Sequence, residues 1–105
     1  MRVIYSVLRE IDKGESLPTA EDYGFKQREF ENFIFDLEKG GYVERVLRMD
    51  TFFSLKPARL TKKGHDLVEE YKELEKSYPK KKKDIIKWIQ VDKEMYSNDA
   101  EGEEY

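Results

Sequence analysis

The chain of 105 residues contains no cysteine. That absence excludes disulfides, thiol catalysis and thiolate metal sites, and it fits a reducing, cytoplasmic setting. Histidine occurs once, as His65, and only Asp66 and Glu69 follow it closely. Zinc and similar ions need more ligands at set spacings, so neither a metal nor a cofactor is expected. No apolar run approaches the roughly 18 residues of a membrane helix, and Met1-Arg2-Val3 does not open like a signal peptide. No membrane association is expected. G-x-G-x-x-G, P-loop, G-x-S-x-G and H-E-x-x-H patterns are all missing, and no carboxylate pair is set apart by its neighbours. The chain is not expected to be an enzyme.

What it has in excess is charge: 41% of residues, against about 25% in an ordinary domain. The signs nearly balance, with 20 Lys+Arg, 23 Asp+Glu and a net −3. Leu, Ile, Val and Phe together make about a quarter of the chain, above the roughly 20% below which folding becomes doubtful. The charges are unevenly placed. Residues 94–105 hold five acids and no base, without any apolar period, and read as a disordered acidic tail. The remaining 1–93, expected as one domain, is then about +2. Its basic islands are residues 42–60 and 77–93, while residues 18–41 net −3.

Val3, Ile4, Val7, Leu8 and Ile11 form the stripe of an amphipathic helix ending near Gly14. Thr19-Ala20-Glu21-Asp22-Tyr23 allows a short helix stopped by Gly24. Phe30, Phe33, Ile34 and Leu37 share one face of the next helix. Lys26 is its N-cap, Glu29 stands in the capping-box position, and Phe25 and Phe30 form a staple. Gly40-Gly41 ends it. Tyr42-Val43-Glu44-Arg45-Val46-Leu47 and Phe52-Phe53-Ser54-Leu55 are strand-like and flank a turn at Arg48-Met49-Asp50-Thr51; Pro57 closes the second strand. Thr61 starts a further helix with the stripe Leu67, Val68, Tyr71, Leu74 and Tyr78. Pro79 suits the first turn of a last helix carrying Ile85, Ile86, Trp88 and Ile89.

Helix, short helix, helix, hairpin, helix is the order of a winged helix-turn-helix. The expected fold is therefore α+β, mostly α: a winged helix-turn-helix with an additional C-terminal helix. A three-helix bundle with an incidental hairpin is the alternative. In the winged layout the helix from 27 reads the groove and the hairpin is the wing.

Leu37-Glu38-Lys39-Gly40-Gly41-Tyr42-Val43 resembles the turn from recognition helix to strand in winged helices. Leu60-Thr61-Lys62-Lys63-Gly64 resembles the entry to their post-wing helix. With Leu8-Arg9-Glu10-Ile11 and Ile85-Ile86-Lys87-Trp88-Ile89, residues 1–90 are similar to the YjcQ family of small bacterial and prophage proteins. The resemblance implies a winged-helix fold and transfers no functional residue.

Helical geometry puts Arg28, Glu31, Asn32, Phe35 and Lys39 opposite the apolar stripe. Arg can bridge guanine and Asn adenine, so Arg28, Asn32 and Lys39 are candidate groove contacts. Glu29, Glu31, Asp36 and Glu38 crowd the same helix and bring its face close to neutral. Arg45, Arg48, Lys56 and Arg59 make the hairpin basic, suited to phosphates or merely guarding an edge. Lys80, Lys81, Lys82 and Lys83 oppose a helix dipole, so helix formation does not explain them. They could grip phosphate, or pair with the acidic tail, which would shield the basic islands.

Two functions follow. The first is a DNA-binding protein, a prophage-type transcriptional regulator whose later helices complete the core or form a homodimer seam. The second is a protein-interaction module on the same scaffold, using Phe35 and Trp88.

Overall fold

A computed structural model describes residues 1–90. The acidic segment 94–105 and the last three residues of the expected 1–93 domain lie outside them. Helix α1, Arg2–Lys13, buries Tyr5, Ser6, Val7, Leu8 and Ile11 and stops at Gly14. A 3-10 turn, Glu21–Tyr23, follows and ends at Gly24. Helix α2, Gln27–Lys39, begins as its sequence demands: the Lys26 N–H donates to Glu29 Oε1 at 2.8 Å. Phe30, Ile34 and Leu37 are its buried stripe. The aromatic staple differs from expectation. Phe25 meets Phe33, centroids 5.8 Å apart, because Tyr23 already stacks on Phe30 at 6.2 Å.

The end of α2 is a Schellman motif: the Tyr42 N–H donates to Leu37 O and the Gly41 N–H to Glu38 O. This closure needs a left-handed residue, and Gly41 supplies it at φ 83°. The chain is thereby turned into the hairpin.

That hairpin is built from four short strands, not two. β1 (Val43–Glu44) pairs antiparallel with β4 (Arg59–Leu60), and β2 (Leu47–Met49) with β3 (Phe52–Ser54). The expected first strand is split because Arg45 adopts φ 65° and Val46 turns in to pack on the core. Pro57, which has no N–H to offer a ladder, lies in the break before β4. Strand pairing also continues further toward the tip than expected. Met49 faces Phe52 directly, leaving a two-residue turn of Asp50-Thr51 with Asp50 at φ 50°.

Helix α3, Lys62–Glu70, is capped by Thr61, whose hydroxyl accepts the Gly64 N–H and donates to Gly41 O. The expected long stripe to Tyr78 is not one helix. α3 stops at Tyr71, and Lys72–Ser77 winds as a 3-10 segment. Three residues per turn put Glu75 and Tyr78 on one side. There Glu75 takes Arg9, and Tyr78 takes Ser6 and Glu10. The last helix likewise starts later than Pro79: a 3-10 turn, Lys82–Asp84, leads into helical residues 85–90. Lysines at positions 80–83 would oppose a helix dipole there, and Lys82 is instead drawn to the carbonyl of Leu17.

The core joins Tyr5, Val7, Leu8 and Ile11 of α1 to Ile34 and Leu37 of α2. Val43 and Leu60 of the inner ladder and Ile85, Trp88 and Ile89 complete it. Leu67, Val68, Tyr71 and Leu74 pack against it, so the later helices close the core. The described residues form an α+β domain, mostly helical, with two small antiparallel two-stranded sheets and a C-terminal helix.

Candidate nucleic-acid interface

α2 buries one stripe, so its other face must meet solvent or a partner. Arg28, Asn32, Phe35 and Lys39 are all exposed along that face. Glu31 accepts from Gln27 Nε2 at 2.7 Å, a link along the helix. Phe35 is 44% exposed and lies between two cations: Arg48 is 5.0 Å and Lys39 5.3 Å from its ring centroid. Arg48 also pairs with Glu38 at 2.8 Å. The hairpin is thus held beside the last turn of α2, and Phe53 supports it by meeting Phe30 at 6.2 Å.

The ten candidate cations and polar readers separate into two groups. Arg48, Arg59 and Lys82 are committed within the chain, to Glu38, Glu44 and Asp22 respectively. Lys82 also donates to Ser16 Oγ and to the carbonyl of Leu17. Arg28, Asn32, Lys39, Arg45, Lys80, Lys81 and Lys83 are exposed, as is Lys56 on the hairpin. The two basic islands attach to different places, Lys82 to the segment ahead of α2 and Arg48 to its last turn.

Trp88 is not available as a docking residue. Only 7% exposed, it packs edge-on against Tyr78 at 5.0 Å and donates its indole N–H to Ser77 Oγ at 2.9 Å. It is a core residue because its polar atom finds a partner when buried. The sequence reading missed Met49 and Phe52, which are 64% and 58% exposed. Directly opposed residues share a face, so this pair points away from the Arg48 and Phe53 side that meets α2. The signal was present: a two-residue turn at Asp50-Thr51 brings the two opposite each other.

A polar network joins α1 to Tyr23 and to the segment around Glu75 and Tyr78. Ser6 Oγ is within 2.9 Å of Tyr23 Oη and 2.8 Å of Tyr78 Oη, while Arg9 grips both oxygens of Glu75 at 2.7 and 2.8 Å. Burial raises the Tyr23 and Tyr78 hydroxyls, and burial with the neighbouring Glu75 pushes Tyr5 up to about 12. These groups stay neutral and serve structure. Among the described residues no group of three or more His, Cys, Asp or Glu could hold a metal ion, and no helix is long and apolar enough to cross a membrane.

The Arg9 guanidinium holds the Glu75 carboxyl below its ordinary value of 4.5. A carboxylate whose folded value is depressed stabilises the fold above the unfolded value, and that contribution vanishes as pH falls through the folded one. Arg9→Met should therefore reduce the urea midpoint at pH 7, with the gap from the parent closing as pH drops below about 4. A gap that stays constant across that range would show that the pair contributes through packing alone.

Searches against family models, curated proteins and solved structures match nothing to this chain.

Proposed function

We propose that the chain is a winged helix-turn-helix protein, YjcQ-like in organisation, that binds duplex DNA as a prophage-type regulator. In this reading α1, the 3-10 turn and α2 are the helix-turn-helix, with its middle helix reduced to that turn, and the four-stranded hairpin is the wing. The observation that carries it is the uncovered row Arg28, Asn32, Phe35 and Lys39 on α2, with the hairpin braced beside it. Arg28, Asn32 and Lys39 then face base edges, and Arg45 and Lys56 face phosphates. Arg48 and Arg59 reach DNA only by giving up Glu38 and Glu44, and so act as scaffold.

Titrating a mixed-sequence duplex across salt tests this. The four uncommitted cations of α2 and the hairpin, Arg28, Lys39, Arg45 and Lys56, contribute a log–log slope of no more than about −4, at roughly −0.9 per contact. Arg28→Ala should make it shallower by about one, and Arg59→Ala should leave it unchanged. No binding at low salt, with the acids of 94–105 neutralised, would sink the reading.

One observation favours a second reading. Phe35, Met49 and Phe52, three large exposed apolar residues, all sit on α2 and the hairpin, where aromatic anchors suit a protein interface.

A further inference from the structure

Between the end of α1 and the segment leading into the C-terminal helix lies an open groove of about 550 Å3. Arg9, Lys13, Lys76, Lys80 and Lys82 line it, with Tyr78. Most carboxylates around it are already occupied. Glu10 and Glu75 serve Arg9, Glu73 serves Lys76 and Asp22 serves Lys82. Lys13, Lys80, Lys81 and Lys83 are exposed and have no ion pair among the described residues; Glu15 and Asp84 are the carboxylates left beside them. Of the cations that line the groove, Lys13 and Lys80 are thus left without an ion pair, and Lys81 and Lys83 extend the basic run beside Lys80. A helix dipole does not account for it, since Lys80 and Lys81 precede the first helical turn.

An occupant of opposite charge lies in the same chain. Residues 94–105 carry Glu94, Asp99, Glu101, Glu103 and Glu104 and no base. Ile85 lines the groove and begins the helical stretch that ends at Gln90, only about 8 Å farther along the axis. The fifteen residues after Gln90 can span up to about 50 Å, so reach is ample. Tethering raises the local concentration of the acids to about the millimolar range, which favours a contact too weak to form between separate molecules.

We propose that the acidic segment 94–105 docks on Lys13 and Lys80 in this groove, and on Lys81 and Lys83 next to Lys80 in the chain, and holds other polyanions off them. The contact does not depend on whether α2 reads DNA. The test compares amide NMR spectra of the full chain with those of its E94Q/D99N/E101Q/E103Q/E104Q variant. At about 20 mM salt, shift differences should concentrate at residues 13–16 and 76–83, and they should collapse by about 0.5 M salt. A full-chain K80Q/K81Q/K83Q variant should lose those differences. Heparin should bind the acid-neutralised chain at least about threefold more tightly at low salt. Matching spectra at low salt would overturn the proposal, as would differences centred on α2 and the hairpin. Tighter heparin binding without shifts at the groove would also overturn it, because the acids would then act only through net charge.

Discussion

Gly64→Ala is expected to cost about 3 kcal/mol or more, one of the largest losses open to a single methyl group in this chain. Gly64 is buried in the first turn of α3, where alanine would ordinarily favour the helix by about 1 kcal/mol. Here a Cβ would lie 2.1 Å from the Tyr42 carbonyl oxygen and 3.2 Å from Leu60 Cβ. Neither neighbour can rotate away. The Tyr42 carbonyl accepts the Thr61 N–H at 3.1 Å, and Leu60 is paired with Val43 in the inner ladder. α3 must therefore move off the ladder as a unit, opening the core along Val43 and Leu60. At about 4–8 °C per kcal/mol for a domain of this size, the melting temperature should fall by some 12–24 °C. Gly14→Ala is the control, because Gly14, unlike Gly64, has positive φ, 66°, and nothing lies within 4 Å of its Cβ position. That change should lose only about 1–2 kcal/mol of backbone strain. Equal losses at the two sites would show that the close approach at Gly64 is not what limits α3.

Trp88→Ala is expected to remove about 3–5 kcal/mol, whereas Phe35→Ala should stay within about 0.5 kcal/mol. The contrast follows from placement. Trp88 fills the core beside Tyr5 and Tyr78, and its loss also removes the indole hydrogen bond to Ser77 Oγ. Phe35 gives up only its outward contacts with Lys39 and Arg48. Urea melts of the two variants check the stability difference. The same Phe35 variant separates the functional readings. Under the protein-interface reading it should weaken an identified partner by about 2 kcal/mol or more while the fold is unchanged, as an anchor residue does. Under the DNA reading it should leave the salt slope of duplex binding intact, since it neutralises no phosphate.

The elements legible in the sequence were those with both a period and a cap. α1 and α2 announced themselves by apolar stripes and by Gly14, Glu29 and Gly40-Gly41, and the start of α3 by Thr61. Two segments were misread as helical: 71–78, with an apolar pattern and no terminator to oppose it, and 79–84, where Pro79 alone suggested an earlier start. Their true path is set by distant partners: Arg9 for Glu75, and the carbonyl of Leu17 for Lys82. Local sequence does not encode such partners. The split of the hairpin was hidden for a related reason, because nothing in Glu44-Arg45-Val46 marks an arginine for positive φ. For the candidate site, the helical wheel placed Arg28, Asn32, Phe35 and Lys39 outward, where the structure has them. It could not show which cations were already spoken for, since Glu38 and Glu44 become neighbours of Arg48 and Arg59 only once the hairpin is folded.

The hairpin's two ladders are joined by unequal lengths of chain, two residues between Glu44 and Leu47 and four between Ser54 and Arg59. The inner ladder belongs to the core, while the outer one is steered toward α2 by Arg48 and Phe53. Mechanically this is an elbow: the upper arm is fixed and the forearm carries the exposed tip. Changing the length of either joint, or the Arg48–Glu38 latch, would re-aim the forearm while the Val43–Leu60 pairing keeps the domain closed. Evolution could thus alter what the tip touches without rebuilding the body that holds it.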